Sequence, residues 1–251
     1  MLNSFFMALS MFSRIPVPRI DFSKTNMKYI LCFFPLIGAF SGIVQSILFV
    51  LMKRFDMNPV FISAVITAVP LIITGGIHMD GFMDTSDARK SYGDREKKLK
   101  ILSDPHIGAF SVISVIVYTI LYFGAVNALD FEGIVLFSKC FILSRCLSGL
   151  AGVSFKCAKK EGLLFSFADS ADSSFTKFVL LTVFVLCSVW IYFTHHIIGV
   201  SAVLTSVIVF AYYKHFAYKE FGGITGDLEG YFLQLCELMT VIVIAVTGKV
   251  F

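Results

Sequence analysis

The sequence predicts an all-α, polytopic integral membrane protein. It reads as one domain over residues 1–251, a bundle of about seven transmembrane helices plus a short N-terminal interfacial helix. Three observations carry this. Of 251 residues, 57% are hydrophobic and only 15% charged, with a mean hydropathy of +0.83, too little charge to coat a soluble domain of that length. Apolar runs near the roughly 20 residues needed to cross the hydrocarbon layer recur along the chain. Lysines and arginines gather in alternate loops, as membrane topology requires.

In chain order, residues 2–13 (LNSFFMALSMFS) are apolar but too short to span, so an interfacial helix is expected before the break at Pro16 and Pro18. This end lacks the early basic region and small-residue cleavage site of a secretory signal. The expected spans are 28–52, 58–77, 108–129, 132–153, 177–194, 197–213 and 231–249. With the N-terminus inside, the inner segments hold Arg14, Arg19, Lys24 and Lys28, then Arg89, Lys90, Arg95, Lys97, Lys98 and Lys100. Further along they hold Lys156, Lys159, Lys160 and Lys177, and lastly Lys214 and Lys219. Outside lie Lys53, Arg54 and Lys249, while Lys139 and Arg145 fall within the fourth span. Three polar loops therefore face the cytosol: 78–107, 154–176 and 214–230. His195 and His196 fall at a short outer turn. The formal charge of +4 is small and dispersed, so nucleic acid is not an expected partner. The six cysteines form no CxxC pair and sit mostly in apolar runs, which supports neither a disulfide framework nor a zinc site.

The most informative stretch is GGIHMDGFMDTSDA, residues 75–88, at the inner end of the second span. Asp80, Asp84 and Asp87 are spaced i, i+4, i+7, one face of a helix. Stacked like charges repel, and low dielectric beside a bilayer sharpens the cost. A divalent cation would relieve it, and hard carboxylate oxygens suit magnesium, manganese or calcium better than zinc. A solvated acidic cap is the plain alternative, but carboxylates near a helix C-terminus oppose its dipole and need another reason to be there. Gly75, Gly76 and Gly81 allow close backbone approach, and His78 is a weaker ligand candidate. Asp104 precedes the third span. GGITGD carries Gly222, Gly223, Gly226 and Asp227, a glycine-rich turn able to hold a phosphate on backbone amides, and Glu237 follows in the last span. Alone that signal is weak, since tight turns are common. Arg145 inside the fourth span either pairs with an acid, faces a substrate anion or snorkels to the surface. REKKLK at 95–100 reads as a solvated, topology-setting run. AKKEG at 158–162 resembles it, with Lys159 and Lys160 also able to meet a phosphate.

These motifs, in this order, resemble the cobalamin synthase family of adenosylcobinamide-GDP ribazoletransferases. The resemblance covers nearly the whole chain: FSRIPVP at 12–18, FPLIGAFSG at 34–42, the HMDGFMDTSD core, LKILSDPHIGAF, Ser144-Arg145, KKEG and GGITGD with Glu237. The HxDGxxDTxD core is the specific part. The resemblance implies a multi-pass enzyme of the bacterial inner membrane, active-site loops in the cytosol, at the last assembly step of adenosylcobalamin. It would join adenosylcobinamide-GDP to α-ribazole or its 5′-phosphate and release GMP, using magnesium, with manganese as the substitute. The bilayer is a partner, and a homo-oligomer or contacts with other corrinoid-assembly enzymes are compatible with it.

By that resemblance Asp84, Asp87, Asp104 and Asp227 are the expected catalytic residues. Asp80, Asp84, Asp87, Asp227 and Glu237 are the expected metal ligands. His78, Arg145, Lys159, Lys160, Gly222, Gly223 and Gly226 are the expected substrate contacts. Departures from the family pattern are Ala88, Pro105, His106, Glu229 and Gln234. Rival readings are a cation-coupled transporter, a structural membrane subunit and a CDP-alcohol phosphotransferase. The transporter fits poorly because the acids cluster at one edge rather than at mid-depth. The phosphotransferase lacks its DGxxAR signature here.

Overall fold

A computed structural model describes residues 1–18, 21 and 23–250, which leaves Arg19 of the inner cations outside the described residues. The helices are α1 (Leu2–Phe12), α2 (Lys24–Met27), α3 (Phe34–Arg54) after a 3-10 turn (Ile30–Phe33), α4 (Pro59–Thr74) and α5 (Ile77–Lys90). They continue with α6 (Arg95–Ile101), α7 (Ala109–Asn127), α8 (Phe131–Ser154), α9 (Leu163–Ser170), α10 (Ser173–Phe216) and α11 (Gly226–Val250), with one π-helical turn (Ala217–Phe221) before α11. No strand occurs among the described residues, only an isolated parallel bridge between Cys157 and Ile224. The all-α expectation holds.

Five helices are long and apolar enough to cross a membrane, six when α4 and α5 are taken together. The expected count of seven is recovered within α10. Its 44 residues would reach about 66 Å if straight, twice the hydrocarbon thickness. His196 breaks it with φ 44° and ψ −123°. Before the break, Leu180 packs on Gly149, Cys187 meets the Lys139 carbonyl and Thr194 accepts from Lys139 Nζ. After it, Ser201 meets Thr247, and Tyr213 reaches Phe232 and Phe155. The chain thus climbs along α8 and returns along α11, so α10 is two antiparallel limbs. These are the expected crossings at 177–194 and 197–213, joined at the expected outer turn.

α8 lies at the centre, buried over most of its length, and α3, α10 and α11 pack around it. The outward faces of α7 and α10 present Ile113, Ile116, Ile120, Leu186, Trp190 and Phe193. Without water to exclude, such surfaces face lipid. α1 is too short to cross. It buries Met7 and Ala8 against Ile30, Leu31 and Phe167, in keeping with a surface-lying helix.

One expectation is corrected. The segment 78–107, expected as a polar loop following the acidic inner end of the second span, instead carries two helices of its own, α5 and α6. α4 stops at Thr74, and Gly75 (φ 66°) and Gly76 (φ 81°) turn the chain by 93° into α5. Left-handed backbone at two successive residues is a conformation only glycine adopts without strain. Asp80 therefore stands in the first turn of a new helix, where the dipole favours a carboxylate.

The three segments expected on the inner side meet at one end of the bundle. Lys159 Nζ donates to Ser103 Oγ at 2.5 Å, Lys98 Nζ to Glu220 Oε2 at 2.7 Å, and Lys24 Nζ to Asp169 Oδ2 at 2.9 Å.

Candidate active site

Where α5 crosses the start of α11, the backbones nearly touch. A Cβ added at Gly81 would lie 2.7 Å from the Asp227 carbonyl oxygen, and one at Gly230 would lie 2.9 Å from that of His78. This crossing brings the acids of two distant segments together. Asp84 feels the charges of Asp80, Asp227 and Asp87, in that order. Asp80 and Asp227 line a cavity of about 500 Å³. Its walls combine Phe12, Phe34, Leu164 and Phe167 with Lys159, Ser148 and Glu229.

The expected site residues divide into two groups. His78, Asp80, Lys159, Gly226 and Asp227 all line the cavity, with Asp84 beside them. His78 is buried, its ring lies edge-on to Phe34, and its Nε2 has no hydrogen-bond partner among the described residues. The N-terminus of α11, at Gly226, opens on the same space.

The others are placed elsewhere. Asp87 keeps the expected helix face, but its carboxylate accepts from the Gly108 and Ser111 backbone N–H groups at 2.8 and 3.0 Å, and from the Ser111 hydroxyl. It caps the first turn of α7. Asp104 is exposed and accepts from the His106 backbone N–H at 3.0 Å, with its Oδ1 2.6 Å from the His106 ring nitrogen. The backbone N–H first, then the ring, hold its carboxyl below the usual carboxylate range. Glu237 pairs with Arg145 inside the bundle, both fully buried, so the acid-pairing alternative for Arg145 is the one realised. Lys160 faces solvent. At Gly222 and Gly223 the amides are already used: they donate to the Tyr218 and Ala217 carbonyls at 3.2 and 3.3 Å. That turn shapes the chain rather than cradling a phosphate.

Sequence reasoning missed a clamp around the site. Arg89 Nε and Nη2 donate to Glu220 Oε1 at 3.2 and 3.1 Å, its Nη1 donates to the Tyr231 hydroxyl at 3.0 Å and its Nη2 also to the Tyr212 hydroxyl at 2.9 Å. Its guanidinium also lies 4.3 Å over the Phe216 ring. With Lys98 on the second oxygen of Glu220, the clamp ties α5, α6 and α11 together. Arg89 and Lys98 read as topology-setting cations, and their partner lies more than 100 residues away, so no local pattern revealed it. In the sequence Glu229 stands out only as a departure from an apolar position. It is buried and accepts from Ser148 Oγ at 2.5 Å.

Among the described residues no three His, Cys, Asp or Glu side chains converge on a common cation position. The carboxylates that do face each other offer hard oxygens from two helices. Magnesium is commonly held by one or two carboxylates, with substrate phosphates and water completing its shell. The donor set fits that mode rather than an all-protein cage.

A relative named adenosylcobinamide-GDP ribazoletransferase from Lachnoclostridium phytofermentans is 42% identical, covering 99% of this chain and 95% of its own. Proteins of the same name from Treponema denticola and Clostridium perfringens strain SM101 are 35% and 33% identical. They cover 94% and 96% of this chain, and 95% and 96% of their own. No solved structure matches the chain. The family model described as cobalamin-5-phosphate synthase matches residues 4–245, and the chain belongs to that family.

Proposed function

We propose that this chain is an adenosylcobinamide-GDP ribazoletransferase, catalysing the final assembly step of adenosylcobalamin in a bacterial cytoplasmic membrane. The site would face the cytosol, as the loop charges favour. The observation that carries this reading is the meeting of Asp80 and Asp84 on α5 with Asp227 on α11, with Asp80 and Asp227 lining a largely apolar cavity.

The reaction is a phosphoryl-group displacement. A ribose hydroxyl oxygen of the acceptor attacks the corrinoid-side phosphorus of the diphosphate. A new P–O bond forms as the bond to the bridging oxygen breaks, and GMP leaves with that electron pair. The hydroxyl proton goes to a carboxylate, for which Asp227 and Asp84 are the nearest groups. One or two of the carboxylates of Asp80, Asp84 and Asp227, together with the substrate phosphates, would hold magnesium, or manganese in its place, which would offset charge on the diphosphate oxygens. Lys159, at the cavity wall, supplies a positive charge for a phosphate oxygen. The clamp of Arg89 and Glu220 fixes α5 against α11, so the carboxylates keep their separation through turnover. Asp104, Lys160 and Glu237 contribute no contact to the acid group here. Their roles are loop capping, surface charge and an internal ion pair.

The test is GMP release by purified protein given adenosylcobinamide-GDP, α-ribazole and magnesium. Replacing Asp84 by Ala should abolish release while insertion and folding persist. Near-normal turnover by that variant defeats the carboxylate assignment, and no release by the native protein defeats the transferase reading.

A further inference from the structure

The cavity has an aromatic part and an acidic part, and its size encloses a whole nucleoside but not a whole corrinoid. Ligand sites that enclose one drug-sized molecule run to about 300–1,000 Å³. At about 500 Å³ this cavity takes a nucleoside and not a corrinoid carrying a nucleotide.

Its wall holds an unbroken ladder of rings. Phe167 on α9 lies 6.1 Å from Phe12 on α1, Phe12 lies 4.4 Å from Phe34, and Phe34 lies 5.8 Å from His78 on α5. All four line the cavity. Such spacing is that of stacked or edge-on aromatic contact, the kind of wall a flat heteroaromatic ring joins. Four helices of the bundle converge to build it, although α1 and α9 are too short to span.

The same lining carries Asp80, Asp227 and Lys159, the groups that meet the reacting phosphate, so a nucleoside whose base lies on the rings has its sugar within the same cavity as the acids. Glu229 Oε2 is bonded to Ser148, while Glu229 Oε1 and His78 Nε2 are buried without a partner among the described residues, so hydrogen-bonding atoms stand beside the rings.

We propose that this cavity is the subsite for the flat aromatic base of the acceptor nucleoside, stacked on the ladder from Phe167 to His78. The nucleoside sugar points to Asp80 and Asp227, while the corrinoid and its guanosine diphosphate stay outside. The assignment rests on the transferase reading and divides its two substrates between two places.

The experiment measures binding first. Radiolabelled α-ribazole is equilibrated with the purified full-length protein, with unlabelled benzimidazole or GMP as competitor. Benzimidazole should displace it and GMP should not. Absence of α-ribazole binding, or displacement by GMP alone, overturns the proposal.

Steady-state kinetics of Leu164→Trp, which narrows the cavity from α9, form the second arm. The KM for α-ribazole should rise about tenfold and that for adenosylcobinamide-GDP stay within about twofold. The reverse split overturns the proposal. Leu163→Trp, at an exposed neighbouring position, serves as the second variant if Leu164→Trp does not fold. Binding of α-ribazole without any GMP release would instead leave the subsite standing and remove the transferase reading.

Discussion

Replacing Glu237 by Gln tests whether this acid is a metal ligand, as its motif suggested, or half of an internal ion pair. Arg145 is 0% exposed and Glu237 1%. Besides Glu237, Arg145 Nη1 donates only to Ser144 Oγ at 2.9 Å, and its Nε and Nη2 have no partner among the described residues. Gln in place of Glu leaves the guanidinium without its counter-charge where water is scarce. Breaking one side of a buried pair costs about 3–5 kcal/mol. That lowers the folded-to-unfolded ratio by roughly two to three and a half orders of magnitude.

Removing both charges, as in Arg145→Met with Glu237→Leu, leaves no lone ion. The double variant should recover more than half of that loss, since buried ion pairs exchanged for apolar side chains are often neutral. Unfolding can be followed through Cys140, Cys146 and Cys236, which are buried and should react with a maleimide only on opening. A double variant no more stable than Glu237→Gln alone would refute the ion-pair account. So would a Glu237→Gln protein of native stability whose magnesium requirement has risen sharply, because that outcome describes a ligand.

Three further outcomes follow from the site. Gly81→Ala puts a methyl 2.7 Å from the Asp227 carbonyl oxygen, so α5 and α11 must separate, and GMP release should fall at least tenfold with insertion retained. Asp104→Asn keeps a hydrogen-bond acceptor on an exposed loop outside the acid group, so kcat/KM should change less than about twofold. Burial first, then the charge of Glu229, pushes the Cys157 thiol up. Its alkylation should therefore be slow at neutral pH, accelerate as pH rises and the thiolate forms, and slow again when α-ribazole fills the cavity it lines.

The sequence revealed what depends on near neighbours. Apolar runs gave the spans, and the i, i+4, i+7 spacing put Asp80, Asp84 and Asp87 on one helix face, as observed. What it did not reveal is which partner each charge takes, because those partners are remote along the chain. Asp87 finds Ser111 24 residues on, Arg145 finds Glu237 92 residues on, and Arg89 finds Glu220 131 residues on. Motif membership cannot separate an acid facing a ligand from one neutralised inside the bundle. The elbow at Gly75 and Gly76 was hidden for another reason. Paired glycines mark flexibility in a sequence, while the direction of the turn is set by packing of α5 on α7 and α11.

That elbow has a consequence for how the protein sits among lipids. α4 has 16 residues, a rise of about 24 Å, against a hydrocarbon layer of about 30 Å. With its far end at one boundary, the turn into α5 falls several ångströms short of the other, so the start of α5 and its carboxylates would sit recessed beneath the headgroups. Hydrophobic mismatch then becomes a variable of the chemistry. A bilayer of shorter acyl chains brings the elbow level with the surface, and one of longer chains draws it inward or thins around it.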